Sequence, residues 1–115
     1  MLVDDDELSS SILQEALILN DHECDTYLDV YEALENYTND IELIITDYRM
    51  PKLNGIELMK KIREKNSEAK IIITSGAGDM NIRKMTMLEG ATAFIGKPFN
   101  FIQIMEEIES FENIV

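Results

Sequence analysis

The chain alternates between short apolar runs and longer stretches in which apolar residues recur at helical spacing. Residues 43–46 and 70–74 are the clearest runs, and β-branched side chains dominate both, as expected of strands that helices cover on both faces. Weaker runs at 1–3, 23–28 and 92–95 complete a set of five. The pattern predicts five strand–helix units in succession, of which the second is the least well defined.

A stripe of apolar residues follows each run and marks a helix. The first helix is predicted between the acidic block at 4–7 and Asn20, and the second between an N-cap at Asp29 and Tyr37. The third is predicted to end near Lys65. The apolar positions of these three stripes are Leu8, Ile12, Leu13, Ala16 and Leu17, then Val30, Ala33 and Leu34, then Ile56, Leu58, Met59 and Ile62.

The last two helices are separated by clear turn signals. Residues 75–78 are predicted to end the fourth strand, and Asp79 is a candidate cap for a helix that runs through Leu88. Gly90 is predicted to end that helix in the left-handed conformation that glycine allows. A break at 97–98 precedes the closing helix, whose stripe is Phe101, Ile104, Met105, Ile108 and Phe111.

Strands that alternate with helices predict an α/β fold, a (βα)5 doubly wound sheet. Helical crossovers join parallel strands, and their right-handed sense places helices on both faces of the sheet. The expected strand order is the flavodoxin-like 2-1-3-4-5, one of the common orders of doubly wound sheets. The 115 residues suit a single domain over 1–115, which leaves no room for a second catalytic or output domain.

The charge excludes some functions and favours others. With a net charge of -13 and only 10 Lys and Arg residues, the chain lacks the basic patch that nucleic-acid binding requires. The same charge favours cationic partners, metal ions included. Cys24 has no second cysteine to pair with, so it is interpreted as a packing residue. We find no leader and no apolar run long enough to span a membrane, so we expect a cytoplasmic protein without membrane contact.

Polar residues stand at the carboxyl ends of four predicted strands. Asp4 and Asp5 follow the first strand, Asp47 the third, Ser75 the fourth and Lys97 the fifth. The carboxyl ends of parallel strands share one edge of the sheet, where doubly wound folds bind their ligands. Three carboxylates gathered there repel one another unless a cation lies among them, and an all-oxygen cluster suits Mg²⁺.

Lys97 and Ser75 extend this metal site to a site for phosphoryl transfer. A carboxylate such as Asp47 can attack phosphorus, while an ammonium and a metal ion neutralise the oxygens of the transferred group. A serine hydroxyl can contact the same oxygens. Asp6 and Glu7 are assigned to the start of the helix instead, where the helix dipole favours acids.

From end to end, the chain resembles the receiver domain of the response regulators of two-component signalling. The positions 28 and 50 residues beyond Asp47 hold Ser75 and Lys97, and these spacings are also those of the family. The matching motifs are Leu2-Val3-Asp4-Asp5, Thr46-Asp47-Tyr48-Arg49-Met50-Pro51 with Gly55 following, and Ala93-Phe94-Ile95-Gly96-Lys97-Pro98-Phe99.

The resemblance implies a stand-alone response regulator that accepts a phosphoryl group on Asp47 in a Mg²⁺-dependent reaction, with Mn²⁺ as a substitute ion. It implies that Asp5 binds the metal directly, Asp4 through water, and the backbone carbonyl of Arg49 as a further ligand. Ser75 and Lys97 would hold the phosphoryl group. Such a domain is a signalling phosphoacceptor rather than an enzyme, and catalyses only its own phosphorylation and dephosphorylation.

The resemblance also implies partners and a switch. The phosphoryl donor would be a sensor histidine kinase or a phosphotransfer protein. Ser75 and Phe94 would form the switch, with Phe94 as the aromatic residue that turns inward on activation, and the Lys97-Pro98 bond would be cis. An output protein would bind the face made by the fourth helix, fifth strand and fifth helix, where Met80, Met85 and Met87 supply adaptable apolar contacts.

Three other classes of protein share some of these features. A haloacid-dehalogenase-like phosphatase needs a second acid two positions after the strand-end aspartate, where this chain has Arg49. A P-loop based on Gly90 and Gly96-Lys97 has a glycine spacing one residue too long, and Pro98 replaces the metal-binding Ser or Thr. A receiver that has lost phosphorylation and only binds partners stays open, and metal-binding and phosphorylation assays discriminate it.

Overall fold

Five parallel strands form one sheet in the order β2-β1-β3-β4-β5. The structure is a computed structural model and describes residues 1–76 and 80–112, with side chains of the last helix described through residue 110. The predicted doubly wound fold and strand order are confirmed. The strands are β1 Leu2–Val3, β2 Thr26–Tyr27, β3 Leu43–Asp47, β4 Lys70–Gly76 and β5 Ala93–Lys97.

A helix follows each strand, as the stripes predicted. The helices are α1 Glu7–Leu19, α2 Val30–Asn36, α3 Gly55–Lys65, α4 Met80–Leu88 and α5 Phe101–Glu112. Asp6 caps α1, since its side chain accepts hydrogen bonds from the amides of Leu8 and Ser9. Asn54 and Glu57 form a reciprocal capping box at the start of α3.

The sheet has an apolar core on each face because its side chains alternate in direction. On one face, Ile44, Ile71 and Ile73 pack with α2, α3 and α4; we call this the α2–α4 face. On the other, Ile45 and Ile72 pack with α1 and α5; we call this the α1/α5 face. The central isoleucines Ile44, Ile71, Ile72 and Ile73 are completely buried. The sheet is thus packed between two apolar cores.

The strand bounds differ most from the predicted ones in β2, β4 and β5. β4 continues to Gly76 instead of ending at Thr74, because Ser75 and Gly76 still pair with Gly96 and Lys97 of β5. β5 likewise begins at Ala93 and reaches Lys97. β2 is limited to two residues, Thr26–Tyr27, since it is an edge strand whose neighbour β1 also has two.

The apolar stripe of α1 is wider than its buried face. Leu17 is buried, but Leu8 and Ile12 have 71% and 62% of their surface exposed, so they are not core residues. Gly90 has φ +102°, which confirms the left-handed turn after α4. Asp29 stands at the N-cap of α2, where its carboxylate accepts a hydrogen bond from Lys52 at 2.9 Å. The predicted cap Asp79 and the side chain of Phe111 lie outside the described residues.

Candidate functional site at the carboxyl edge of the sheet

Three carboxylates meet where β1 and β3 end. Asp4, Asp5 and Asp47 each offer an oxygen within 4.8 Å of the others. Asp4 is buried, Asp47 is half-buried and Asp5 is exposed, so the cluster opens toward solvent on one side. The sequence prediction that these residues converge is therefore confirmed.

Lys97 projects from the end of β5 into this cluster. Its Nζ lies 3.3 Å from Oδ2 of Asp4 and 3.5 Å from Oδ2 of Asp47. The ammonium therefore bridges two of the three carboxylates and offsets part of their repulsion. The Lys97-Pro98 peptide bond that follows is cis, as the resemblance implied.

Local hydrogen bonds fix the first acid of the cluster. The amide of Asp6 donates to Oδ1 of Asp4 at 3.0 Å, and the hydroxyl of buried Ser10 donates to the Asp4 carbonyl at 3.3 Å. Oδ2 of Asp4 then remains directed toward Lys97. The start of α1 thus positions one wall of the site.

Gly55 allows α3 to approach the end of β3 closely. A Cβ atom at this position would lie 2.7 Å from the backbone oxygen of Asp47, closer than real atoms tolerate. Two backbone hydrogen bonds complete the turn, from Gly55 N to Tyr48 O at 2.8 Å and from Tyr48 N to Thr74 O at 2.7 Å. The close approach of α3 to the Asp47 backbone at the end of β3 therefore depends on a glycine at position 55.

The surroundings change the acidity of both central groups. Burial raises the pKa of Asp47, an effect that Lys97 partly offsets and the charge of Asp4 reinforces. Burial alone would lower the pKa of Lys97, but the carboxylates of Asp47 and Asp4 outweigh it and raise that pKa. Lys97 is therefore a fixed positive charge at neutral pH, and Asp47 is a carboxylate whose ionised form is less stable than in water.

Ser75 lies at the same edge but on the α2–α4 face, opposite Lys97, and Phe94 lies on that face farther from the edge, near the start of β5. Ser75 immediately follows Thr74, which pairs with Asp47 across β3 and β4. Its side chain is 1% exposed, and its hydroxyl has no hydrogen-bond partner within the described part of the chain. Phe94 pairs with Ile73 and is buried in the core of the α2–α4 face. An unpaired buried hydroxyl is a group that a ligand oxygen would satisfy.

Thr74 also lines the site, although the rule about strand ends did not predict it. A cleft of about 560 Å³ runs between α1 and α5, and its polar end contains Asp4, Asp47, Thr74 and Lys97. Thr74 shares the α1/α5 face with Asp47 because the two residues are partners on neighbouring strands. The pairing of Thr74 with Asp47 identifies Thr74 as a site residue. This pairing depends on the register between β3 and β4, which the sequence alone does not give.

The donor chemistry of this site fits a small divalent cation. Three carboxylates within 4.8 Å provide only oxygen ligands, and the exposed side leaves room for water, which Mg²⁺ retains in proteins. The side chain of Arg49 is exposed, with its guanidinium 5.8 Å from the ring centre of Tyr48. The metal-binding role of the Arg49 carbonyl stays a prediction.

A parallel sheet of this order, with an acidic pocket and a lysine at its carboxyl edge, defines a class of α/β phosphoacceptor domains. The sequence profile of the response regulator receiver domain matches residues 1–109. The chain belongs to this family, whose members are the phosphoacceptors of two-component signalling and hold Mg²⁺ in their acidic pocket. Receiver domains are signalling modules and are not generally classed as enzymes.

Similar proteins support this assignment at the level of sequence. The chain is 32% identical to the chemotaxis protein CheY of Treponema pallidum, over 96% of this chain and 79% of that protein. It is also 32% identical to the transcriptional regulatory protein CpxR homolog of Haemophilus influenzae, again over 96% of this chain. That second match covers 48% of the relative, so the chain spans about half the length of this larger regulator.

Solved structures give the same result at the level of the fold. The receiver domain of NtrX from Brucella abortus superposes with a TM-score of 0.89 at 25% identity, over 99% of this chain and 98% of that one. The non-phosphorylated HemR receiver domain of Leptospira biflexa gives 0.88 at 26% identity, over 99% and 93%. Within the described residues, no helix combines the length and apolar character that a membrane crossing requires.

Proposed function

We propose that Asp47 accepts a phosphoryl group from a phosphohistidine on a sensor histidine kinase or a phosphotransfer protein. The observation that carries this proposal is the placement of the Asp47 carboxylate at a strand end, grouped with two further carboxylates and 3.5 Å from the Lys97 ammonium. This carboxylate lies between a cluster of oxygen atoms suited to a metal ion and a fixed positive charge. Such surroundings suit a nucleophile that accepts a phosphoryl group.

In the proposed reaction, an oxygen of Asp47 forms a bond to phosphorus while the phosphorus–nitrogen bond of the phosphohistidine breaks. The electron pair of that bond leaves with the imidazole nitrogen. Lys97 stays protonated throughout and neutralises charge on the transferred oxygens. Later, attack of water on phosphorus breaks the bond to Asp47, releases inorganic phosphate and restores the carboxylate, so the domain resets itself.

Asp5, Asp47 and the backbone carbonyl of Arg49 would hold Mg²⁺ directly, with Asp4 acting through water; Mn²⁺ would occupy the same place. The bound ion would supply positive charge for the oxygens of the phosphoryl group. Ser75 would donate its unpaired buried hydroxyl to one of those oxygens.

The proposed signal is a change in the surface made by α4, β5 and α5. Contact between Ser75 and the phosphoryl group would favour the inward position of Phe94, which lies on the same face of the sheet. Met80 and Met87, 68% and 46% exposed, offer adaptable apolar contacts to an output protein on this surface.

Incubation with acetyl phosphate and Mg²⁺ tests the proposal, with intact-protein mass as the readout. We expect a single phosphoryl adduct on the wild-type protein and none on Asp47→Asn or in EDTA. Asp40→Asn, which removes an exposed carboxylate far from the site, is the matched control and should form the adduct. A folded wild-type protein that forms no adduct, and receives none from a phosphorylated histidine donor, would be a partner-binding receiver without phosphorylation.

A further inference from the structure

The side chain of Arg83 covers the ring of Phe94. The guanidinium carbon lies 5.1 Å from the ring centre, within the range of a cation–π contact. Phe94 belongs to β5 and is only 9% exposed, whereas Arg83 is an exposed residue on α4. The arginine therefore lies on the solvent side of a ring whose other side packs into the core.

A buried neighbour holds the backbone that carries this arginine. Thr86 is fully buried, and its hydroxyl donates a hydrogen bond to the carbonyl of Arg83 at 2.9 Å. Among the described residues, Arg83 makes no ion pair with a carboxylate. Within the described part of the chain, the side chain of Arg83 thus contacts the aromatic ring and no carboxylate, although the chain is rich in acids.

We propose that Arg83 is a positioning residue that stabilises the inward conformation of Phe94 and so couples α4 to the phosphoacceptor site. The coupling to phosphorylation rests on the proposed function; the contact between Arg83 and Phe94 does not. A ligand that binds one of two conformations better shifts the protein toward it, and any contact made only in that conformation adds to the shift.

The size of the effect follows from the strength of an exposed cation–π contact. Loss of the guanidinium is expected to lower the ratio of inward to outward Phe94 by about two- to fivefold. A phosphoryl analogue that prefers the protein with Phe94 inward should then bind Arg83→Gln more weakly than the wild type. The loss of affinity should reach at most the same two- to fivefold factor. Arg83→Lys keeps the charge without the planar group and should lie between the wild type and Arg83→Gln.

The matched control is Lys84→Gln. Lys84 is the next residue on α4 and is also exposed, and this substitution removes the same charge. General electrostatics would affect both variants equally. Only a specific contact with the ring distinguishes Arg83→Gln from Lys84→Gln.

The experiment uses the full chain with ring-¹³C-labelled phenylalanine, with the Phe94 signal assigned by its loss in Phe94→Leu. Populations of Phe94 are measured by NMR without ligand, and beryllofluoride binding is then titrated in Mg²⁺. We expect Arg83→Gln to lower the ratio of inward to outward Phe94 about two- to fivefold and the beryllofluoride affinity by up to the same factor, with Lys84→Gln unchanged. Equal behaviour of the two variants would overturn the proposal.

A double-mutant cycle covers the case in which the ring is inward in every variant. Unfolding free energies of wild type, Arg83→Gln, Phe94→Leu and the double variant should be non-additive, whereas additive effects would rule out the contact. Absence of beryllofluoride binding by the wild type would overturn the coupling and the proposed function together. The ring populations and the cycle would then still decide whether Arg83 positions Phe94.

Discussion

At the scale of single residues, the site combines one cation with three anions. Lys97 lies 3.3 and 3.5 Å from two carboxylates that would otherwise repel each other. Burial adds to the cost of ionising Asp47 and raises its pKa. In the unliganded protein, this charge cluster therefore lowers the free energy of unfolding. Two substitutions measure the size of this effect.

Asp47→Asn should stabilise the unliganded protein at neutral pH. The raised pKa of Asp47 means that the folded state holds the proton more firmly than the unfolded chain does. The contribution of the Asp47 carboxyl group to the stability of the folded state is fully present below the ordinary aspartate pKa. It is lost as the pH rises through the raised pKa of the folded state. In EDTA, the variant should unfold at a higher temperature than the wild type at pH 7, and the difference should vanish in acid.

Thermal unfolding followed by circular dichroism between pH 3 and pH 8 measures both effects. Asp40→Asn, at an exposed position, gives the baseline for losing one negative charge from the surface. A variant that is no more stable than the wild type at pH 7 would show that Lys97 fully compensates the buried charge.

Lys97→Gln should have the opposite effect on stability. Without the ammonium, Asp4 and Asp47 lose a charged partner, which should lower the free energy of unfolding by about 1–3 kcal/mol. Mg²⁺ should then stabilise the variant more than the wild type, because the ammonium no longer competes for the carboxylates. Unfolding temperatures with and without Mg²⁺ measure both.

The control for this experiment is Lys60→Gln, which removes an exposed ion pair with Glu89 at 3.0 Å. Exposed pairs contribute about 1 kcal/mol or less, so this variant should change little and show the wild-type response to Mg²⁺. Equal metal responses of Lys97→Gln and the wild type would argue against competition between lysine and metal.

At the scale of elements, helix starts and strand ends position the site together. α1 fixes Asp4 through Asp6 and Ser10, and α3 approaches the end of β3 through Gly55. The side chains also lie on different faces of the sheet. Asp47 and Lys97 lie on the α1/α5 face, whereas Ser75 and Phe94 lie on the α2–α4 face. The two faces meet at the carboxyl edge of the sheet.

Gly55→Ala should disrupt the acceptor turn. The added methyl group would lie 2.7 Å from the Asp47 carbonyl and 3.1 Å from the Tyr48 Cα, and neither backbone atom moves freely. We expect a loss of about 1–3 kcal/mol of stability and slower phosphorylation by acetyl phosphate. Gly96→Ala is the matched control, because a Cβ there meets nothing within 4 Å.

Chemical unfolding and the rate of adduct formation measure these two consequences. If Gly55→Ala is as stable as the wild type and forms the adduct at the same rate, the turn adjusts without moving Asp47. Comparable losses in Gly96→Ala would show instead that any added methyl group at this edge is harmful.

The order and type of the elements could be predicted from the sequence, because apolar periodicity distinguishes buried strands from amphipathic helices. The acidic cluster and Lys97 followed from one topological rule about strand ends. The length of β4 could not be predicted, since pairing with β5 carries the strand through Gly76. Nor could the exposure of Leu8 and Ile12, or the role of Thr74, which depend on tertiary packing and strand register.

At the scale of the whole molecule, the charge distribution fits a protein that binds cations and a phosphorylated partner. The net charge is -13, yet the acidic pocket contains a lysine that can neutralise phosphoryl oxygens. The proposed signal crosses the sheet edge from Asp47 to Ser75 and Phe94, then reaches α4 through Arg83. In the proposed mechanism, phosphorylation at one edge of the sheet thus changes a surface formed by α4, β5 and α5.

Chemical trapping shows directly whether Asp47 carries the phosphoryl group. Borohydride reduces an aspartyl phosphate to homoserine, and peptide sequencing by mass spectrometry locates the converted residue. After phosphorylation in Mg²⁺, we expect homoserine at position 47, and none there after incubation in EDTA. Homoserine at position 4 or 5 instead, or at no position in a protein that forms the adduct, would contradict this expectation.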